Sequence, residues 1–227
     1  MPSPSRLRST LITLAVALAY VAAVEWLCGW RRLLGAWSEL PPWLLPAFLT
    51  AMLASYLLRA WRLYRGAADI PRGHYFSTLR LLWLHNAANL LLPARLGEFA
   101  LPWLLRRRHG IPWTAGGGLL LWLRLLDLHC VAALGAVALG QRLATLSAAW
   151  TGLWLAAASA IAVLPLLLYA TRRPLAARAG QQRWAAALAA IPARLPDLLR
   201  ELALTWLAWL AKLGAFVLVL RALADAA

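Results

Sequence analysis

Five stretches of this chain, at about 9–29, 42–60, 113–139, 147–170 and 202–222, stay apolar for close to twenty residues each. An α-helix needs about 20 such residues to cross roughly 30 Å of hydrocarbon. A soluble domain of 227 residues, 63% of them hydrophobic, would have to expose much of that surface to water. The fold class that follows is all-α: a polytopic transmembrane helical bundle forming a single domain over residues 1–227. The first apolar stretch follows Arg6 and Arg8 and resembles a signal peptide. Its length, and the spans after it, favour an uncleaved first helix.

The charge is the second constraint. Twenty-two arginines and one lysine face eight acids, for a formal net charge of +15. In a soluble protein that excess would point to nucleic acid. Here most basic residues flank apolar stretches, so they read as topology signals and contacts for anionic lipid headgroups, and no nucleic-acid partner is expected. Cys28 and Cys130 lie in apolar surroundings without metal or redox spacing and read as packing residues.

Between the second and third spans lies a region that fits neither pattern. Residues 74–105 are rich in leucine, yet Asn86, Asn89, Pro93, Arg95, Gly97 and Glu98 interrupt them. The part after Pro93 is too short to cross a bilayer, so two half-length helices meeting at "LLPARLGE" are expected, entering and leaving on one side. Pro93 and Gly97 permit the break. Arginine counts support the re-entrant pair. With the N-terminus cytoplasmic and the C-terminus on the opposite face, sixteen flanking arginines fall on the cytoplasmic side and four, Arg31, Arg32, Arg142 and Arg221, on the other. The longest cytoplasmic connection, 174–200, repeats Trp184, Leu188, Ile191, Leu195 and Leu198 at helical spacing among Arg178, Arg183 and Arg194. It reads as an amphipathic segment at the headgroups, or as a plain basic loop.

The residues able to carry chemistry sit at the break and beside it. Arg95-Leu-Gly-Glu98 and Arg124-Leu-Leu-Asp127 each place a base and an acid three residues apart, on one face of a helix. A charged side chain near the bilayer centre costs roughly 2.5–3.5 kcal/mol, so these four must pair or border a polar cavity. Arginine's planar fork also suits phosphate and carboxylate. Asn86 and Asn89 are expected to hydrogen-bond the broken helix ends, whose N-termini would attract anions. His85 stands beside them as a polar contact. Lys212, deep in the last span, is expected to face a polar interior. The candidate headgroup-binding set is therefore Asn86, Asn89, Arg95, Glu98, Arg124, Asp127 and Lys212. "TAGGGLLL" at 114–121 lacks the Gly-Lys-Ser/Thr of a phosphate loop, and its glycines read as close-packing positions. No catalytic residues, metal ligands, cofactor or nucleotide motif are expected.

"NLLLPARLGE", "RRRHGIPW" and "LRLLDL" together resemble the transmembrane, flippase-like region of the lysylphosphatidylglycerol synthase family. "YLLRAWRLY" at 56–64 and "TWLAWLAKLGAFVL" at 205–218 are similar to its other helices. The likeness is loose over 10–222 and specific over about 86–130. It implies an integral protein of the bacterial cytoplasmic membrane that translocates or handles phospholipids, glycolipids or polyprenyl lipids. It does not imply lysyl transfer, which the family's soluble domain performs. Leu123 stands where members often carry an acid, and many members continue into further helices beyond the point matching Ala227. A member of this length is expected to work with a second copy or a partner subunit. The leading reading is a lipid translocase whose substrates are anionic phospholipid, glycolipid or polyprenyl lipid. The alternatives are a membrane-embedded enzyme with Glu98 or His85 as base, and a non-transporting subunit of a lipid or glycan assembly pathway.

Overall fold

A computed structural model describes residues 4–67, 70, 73–143, 148–179 and 183–225, with side chains described at all of these except 4–13, 36, 93–95, 139–143, 148–149, 179 and 183–184. The described residues form helices and no strand. In order they are α1 (Pro4–Leu27), α2 (Trp30–Ser38), α3 (Leu44–Gly66), α4 (Tyr75–Leu91), a 3-10 segment (Pro93–Phe99), α5 (Ala100–His109), α6 (Trp113–Leu143), α7 (Ala148–Ala179), α8 (Arg183–Leu188) and α9 (Leu195–Asp225). Among the described residues four helices are long and apolar enough to cross a membrane: Leu44–Gly66, Trp113–Ala138, Trp150–Arg178 and Leu195–Asp225. They carry leucines and valines uncovered by protein, among them Leu121, Val137 and Leu153. Such surface is stable only in an apolar solvent, and the chain is an all-α multi-pass membrane protein. Of the expected first span, the described apolar part is the shorter stretch Leu14–Leu27; its beginning lies outside the described side chains.

The chain divides into two compact units, residues 1–48 with 216–227 and residues 49–215. In the first, α1 leads through a turn at Gly29 into α2, and the rings of Phe48 and Phe216 meet edge to face at 5.8 Å. The second holds the interrupted region and the buried polar residues.

The interruption falls where the sequence placed it. α4 stops at Leu91 and Leu92 adopts an extended backbone. The cause is Pro93, whose ring disfavours helical geometry in the residue before it. One tight 3-10 segment then runs directly into α5, which ends at Gly110 in the left-handed conformation behind Arg106, Arg107, Arg108 and His109. Four basic or imidazole groups in the last turn also suit the negative end of the helix dipole. Leu81 of α4, Leu101, Leu104 and Leu105 of α5, Leu63 of α3 and Leu119 and Leu123 of α6 form one apolar core between these helices.

Of the three glycines of "TAGGG", Gly116 and Gly118 act as packing positions and Gly117 does not. A Cβ at Gly118 would stand 2.5 Å from the Cα of Ala187 in α8, and one at Gly116 would stand 3.2 Å from the Cα of Pro102 in α5. Gly117 has nothing within 4 Å. Gly117→Ala should therefore raise stability by up to about 1 kcal/mol through helix propensity alone, whereas Gly118→Ala pushes on backbone and should destabilise by about 1–3 kcal/mol. Thermal midpoints of the two variants in one detergent check this. Equal shifts of the same sign would mean that α8 does not seat on α6.

The connection 174–200 differs from its expectation. α7 continues to Ala179, with Pro165 and Pro174 inside it, and α9 begins at Leu195; among the described residues between them is the six-residue α8. Ile191 and Leu198, read as part of an amphipathic segment at the headgroups or of a plain basic loop, are buried with Trp122 and Leu126. The close approach that Gly118 allows draws this apolar face onto α6. Arg172 is occupied as well, donating to the carbonyls of Tyr169 and Ala193 at 2.6 Å each. Arg178 and Arg194 remain exposed; Arg183 and Trp184 lie outside the described side chains.

Candidate functional site

Arg59, Arg62, Arg124 and Trp209 of the second unit converge on Asp127. Arg124 and Asp127 share a face of α6 as expected, with Nη1 to Oδ2 at 3.5 Å. The stronger partner of Asp127 comes from α3: Arg62 Nη1 donates to Oδ1 at 3.0 Å, while Arg59 Nη1 lies 3.5 Å from Oδ2. From α9, the indole N–H of Trp209 donates to Oδ1 at 3.2 Å. Arg62 is 4% and Asp127 7% exposed, so neither charge could be held there without the other.

Glu98 makes its ion pair across the fold. From the end of the 3-10 segment its carboxylate accepts Arg124 Nη2 at 2.6 and 2.7 Å and Nε at 2.9 Å. This forked arrangement is the strongest geometry open to an arginine. The side chain of Arg95 lies outside the described residues. Glu98 can reach α6 because the chain turns back hard against α4: a Cβ on Gly97 would strike the backbone of Ala88 and Asn89, with the Asn89 Cα at 2.5 Å. Gly97 is thus needed for close approach, beyond the flexibility expected of it.

The two asparagines do other work than capping. Asn89 Nδ2 donates to His85 Nε2 at 3.1 Å, and neither the 3-10 segment nor α5 has a side-chain cap. Arg124 Nη2 approaches the same His85 nitrogen at 3.4 Å. Asn86 lines a cavity of about 40 Å³ together with Arg59, Arg62, His85, Arg124 and Asp127. Such a space suits about one water-sized occupant. Lys212 lies to one side, its Nζ 5.4 Å from the ring of Trp209, whose indole also takes Arg59 at 5.1 Å.

Three guanidiniums therefore surround two carboxylates, leaving one positive charge in excess. Two buried guanidinium nitrogens, Arg59 Nη2 and Arg62 Nε, have no partner among the described residues. Those two arginines are what the sequence reading missed, having counted them among the topology signals. Removing them leaves fourteen flanking arginines against four. A signal was present: Ser55, Arg59 and Arg62 recur at four and three residues, one helical face, and the buried Ser55 hydroxyl donates to the Ala208 carbonyl at 2.7 Å. The last helix repeats it. Glu201, Thr205 and Trp209 follow at intervals of four, with Thr205 Oγ1 accepting Arg62 Nη1 at 2.5 Å and donating to the Glu201 carbonyl at 2.6 Å. The Glu201 carboxylate accepts the indole N–H of the buried Trp122 at 2.6 Å. Among the described residues no group of three or more histidines, cysteines and acids has the arrangement of a metal site.

Helices of this kind, enclosing arginines and carboxylates in their bundle, define a multi-pass membrane protein with an internal polar site. Residues 10–227 match the model of the family described as the lysylphosphatidylglycerol synthase TM region, and the chain belongs to that family. No curated protein and no solved structure matches it. The family places the chain in a membrane lipid-related role.

Proposed function

We propose that this protein translocates lipids whose headgroups carry phosphate, and that Arg124 is the residue that exchanges an internal carboxylate for the headgroup. The observation behind this is the excess of cationic donors: three guanidiniums share two carboxylates, and two of their buried nitrogens have no partner among the described residues. An anionic headgroup would complete that set, whether it belongs to a phospholipid, a glycolipid or a polyprenyl lipid. The Arg124 side chain is 43% exposed, so it can meet a headgroup at the rim while Arg59 and Arg62 lie deeper. The cavity is smaller than a phosphate group with its ester arms, so passage requires the Arg124–Glu98 clasp to open. The 3-10 segment between α4 and α5 carries the Glu98 side of that clasp and α6 the Arg124 side, and in this reading α4 and α5 enter and leave the membrane on its cytoplasmic side.

The reading is tested in liposomes holding the purified protein and a fluorescent phosphatidylglycerol, with fluorescent phosphatidylcholine as the comparison. The wild-type protein should move the anionic probe faster. Arg124→Gln should abolish that preference, and Arg124→Lys should retain part of it, since the charge survives without the fork. Equal rates for both probes in wild type and in Arg124→Gln would rule out headgroup capture by Arg124.

A further inference from the structure

We propose that α2 lies in the plane of the membrane surface at the C-terminal end of α1, where Arg31 and Arg32 bind anionic phospholipid. The inference goes beyond lipid transport and stands whether or not Arg124 takes a headgroup. Trp30, Leu33, Leu34 and Trp37 recur at intervals of three, four and seven residues, one face of a helix; Arg31, Arg32 and Ser38 lie on the other. Nine residues make a helix of about 14 Å, far short of the hydrocarbon core. This helix cannot span.

Its attachment is defined. Gly29, at φ 73°, ends α1 and turns the chain. The Glu25 carboxylate then accepts the Trp30 backbone N–H at 2.8 Å, which stabilises the first turn of α2 and places the Glu25 charge at its positive end. The Trp30 indole donates to the Val21 carbonyl at 3.2 Å, so α2 starts alongside the last two turns of α1. Leu34 and Trp37 stay 59% and 54% exposed, and Trp26 and Leu27 at the end of α1 are more exposed still.

An uncovered apolar face, two tryptophans and two exposed arginines match the boundary between headgroups and acyl chains. The sign of the charge selects the partner. Glu25 is engaged by the helix end and Glu39 lies beyond its far end, so the exposed charge beside the first turn is that of Arg31 and Arg32. A leaflet containing anionic phospholipid satisfies both faces at once.

The test uses the whole chain with Cys28→Ser and Cys130→Ala, spin-labelled at single cysteines replacing residues 31, 32, 34, 37 or 38. Vesicles contain phosphatidylcholine alone or with phosphatidylglycerol. Labels at 34 and 37 should collide with dissolved oxygen and be shielded from a water-soluble nickel relaxant, while labels at 31, 32 and 38 should show the reverse. In the otherwise unlabelled chain, Arg31→Gln with Arg32→Gln should lower hydrogen-exchange protection of α2 in the anionic vesicles by about fivefold per arginine, with no change in phosphatidylcholine alone. Nickel access at 34 and 37 in both vesicles overturns the proposal. So does spin–spin broadening at 34 that disappears on dilution with unlabelled protein, since a second copy would then cover the face.

Discussion

Asp127→Asn is expected to destabilise the protein by about 3–5 kcal/mol, the range seen when one member of a buried ion pair is removed. The substitution keeps the shape and one acceptor oxygen but removes the charge on which Arg62, Arg59 and Arg124 converge. Arg62 has almost no access to solvent, so its charge would be left without its ion-pair partner. Glu98→Gln should cost much less, because its partner Arg124 keeps a second carboxylate, Asp127, at 3.5 Å. The companion variant Arg62→Gln should also destabilise. Combined with Asp127→Asn it should cost less than the two single losses added, because the double variant leaves neither member of that pair charged. Thermal midpoints in a single detergent, followed by size-exclusion profiles, measure all four. An Asp127→Asn protein as stable as wild type would show that Asp127 is not the centre of a buried network.

Gly97→Ala should damage stability and lipid movement together. The added methyl would meet the backbone of Ala88 and Asn89 rather than a side chain able to swing aside. The 3-10 segment must lift away from α4, and Glu98, the next residue, moves with it away from Arg124. Forcing one methyl into a filled site typically costs about 1–3 kcal/mol, and here the displacement falls on the clasp itself. Stability and transport of the anionic probe should both drop in Gly97→Ala, whereas Gly117→Ala should leave transport as it is. Wild-type behaviour of Gly97→Ala in both assays would mean that the 3-10 segment does not pack on α4.

Much of the fold was legible because it depends on rules acting over a turn or a span. Apolar length locates the membrane helices, and Pro93 ends α4 by restricting Leu92. The site was legible in part. Arg124, Asp127, Glu98 and Asn86 were found by asking which charged and polar groups lay in apolar surroundings, and the structure brings all four to one region. Arg59 and Arg62 escaped because an arginine near the end of an apolar run looks the same whether it reaches headgroups or turns inward. Only the stripe Ser55, Arg59, Arg62 distinguishes the two cases, together with its counterpart Glu201, Thr205, Trp209. The segment 174–200 misled for the opposite reason, since an apolar face at helical spacing fits a membrane surface and a neighbouring helix equally well.

The sequence by itself determined that the chain is a helical membrane protein, where one apolar run breaks, and which charges need partners inside it. Those outcomes follow from transfer free energy and backbone sterics, which read only local residues. The tertiary structure alone decided the partnerships. Glu98 goes to Arg124, 26 residues away, and Asp127 to Arg62, 65 residues away. Pairing at that distance depends on how each helix is rotated against its neighbours. Contacts such as those at Gly97 and Gly118 help set that rotation, through the closeness with which two backbones can approach.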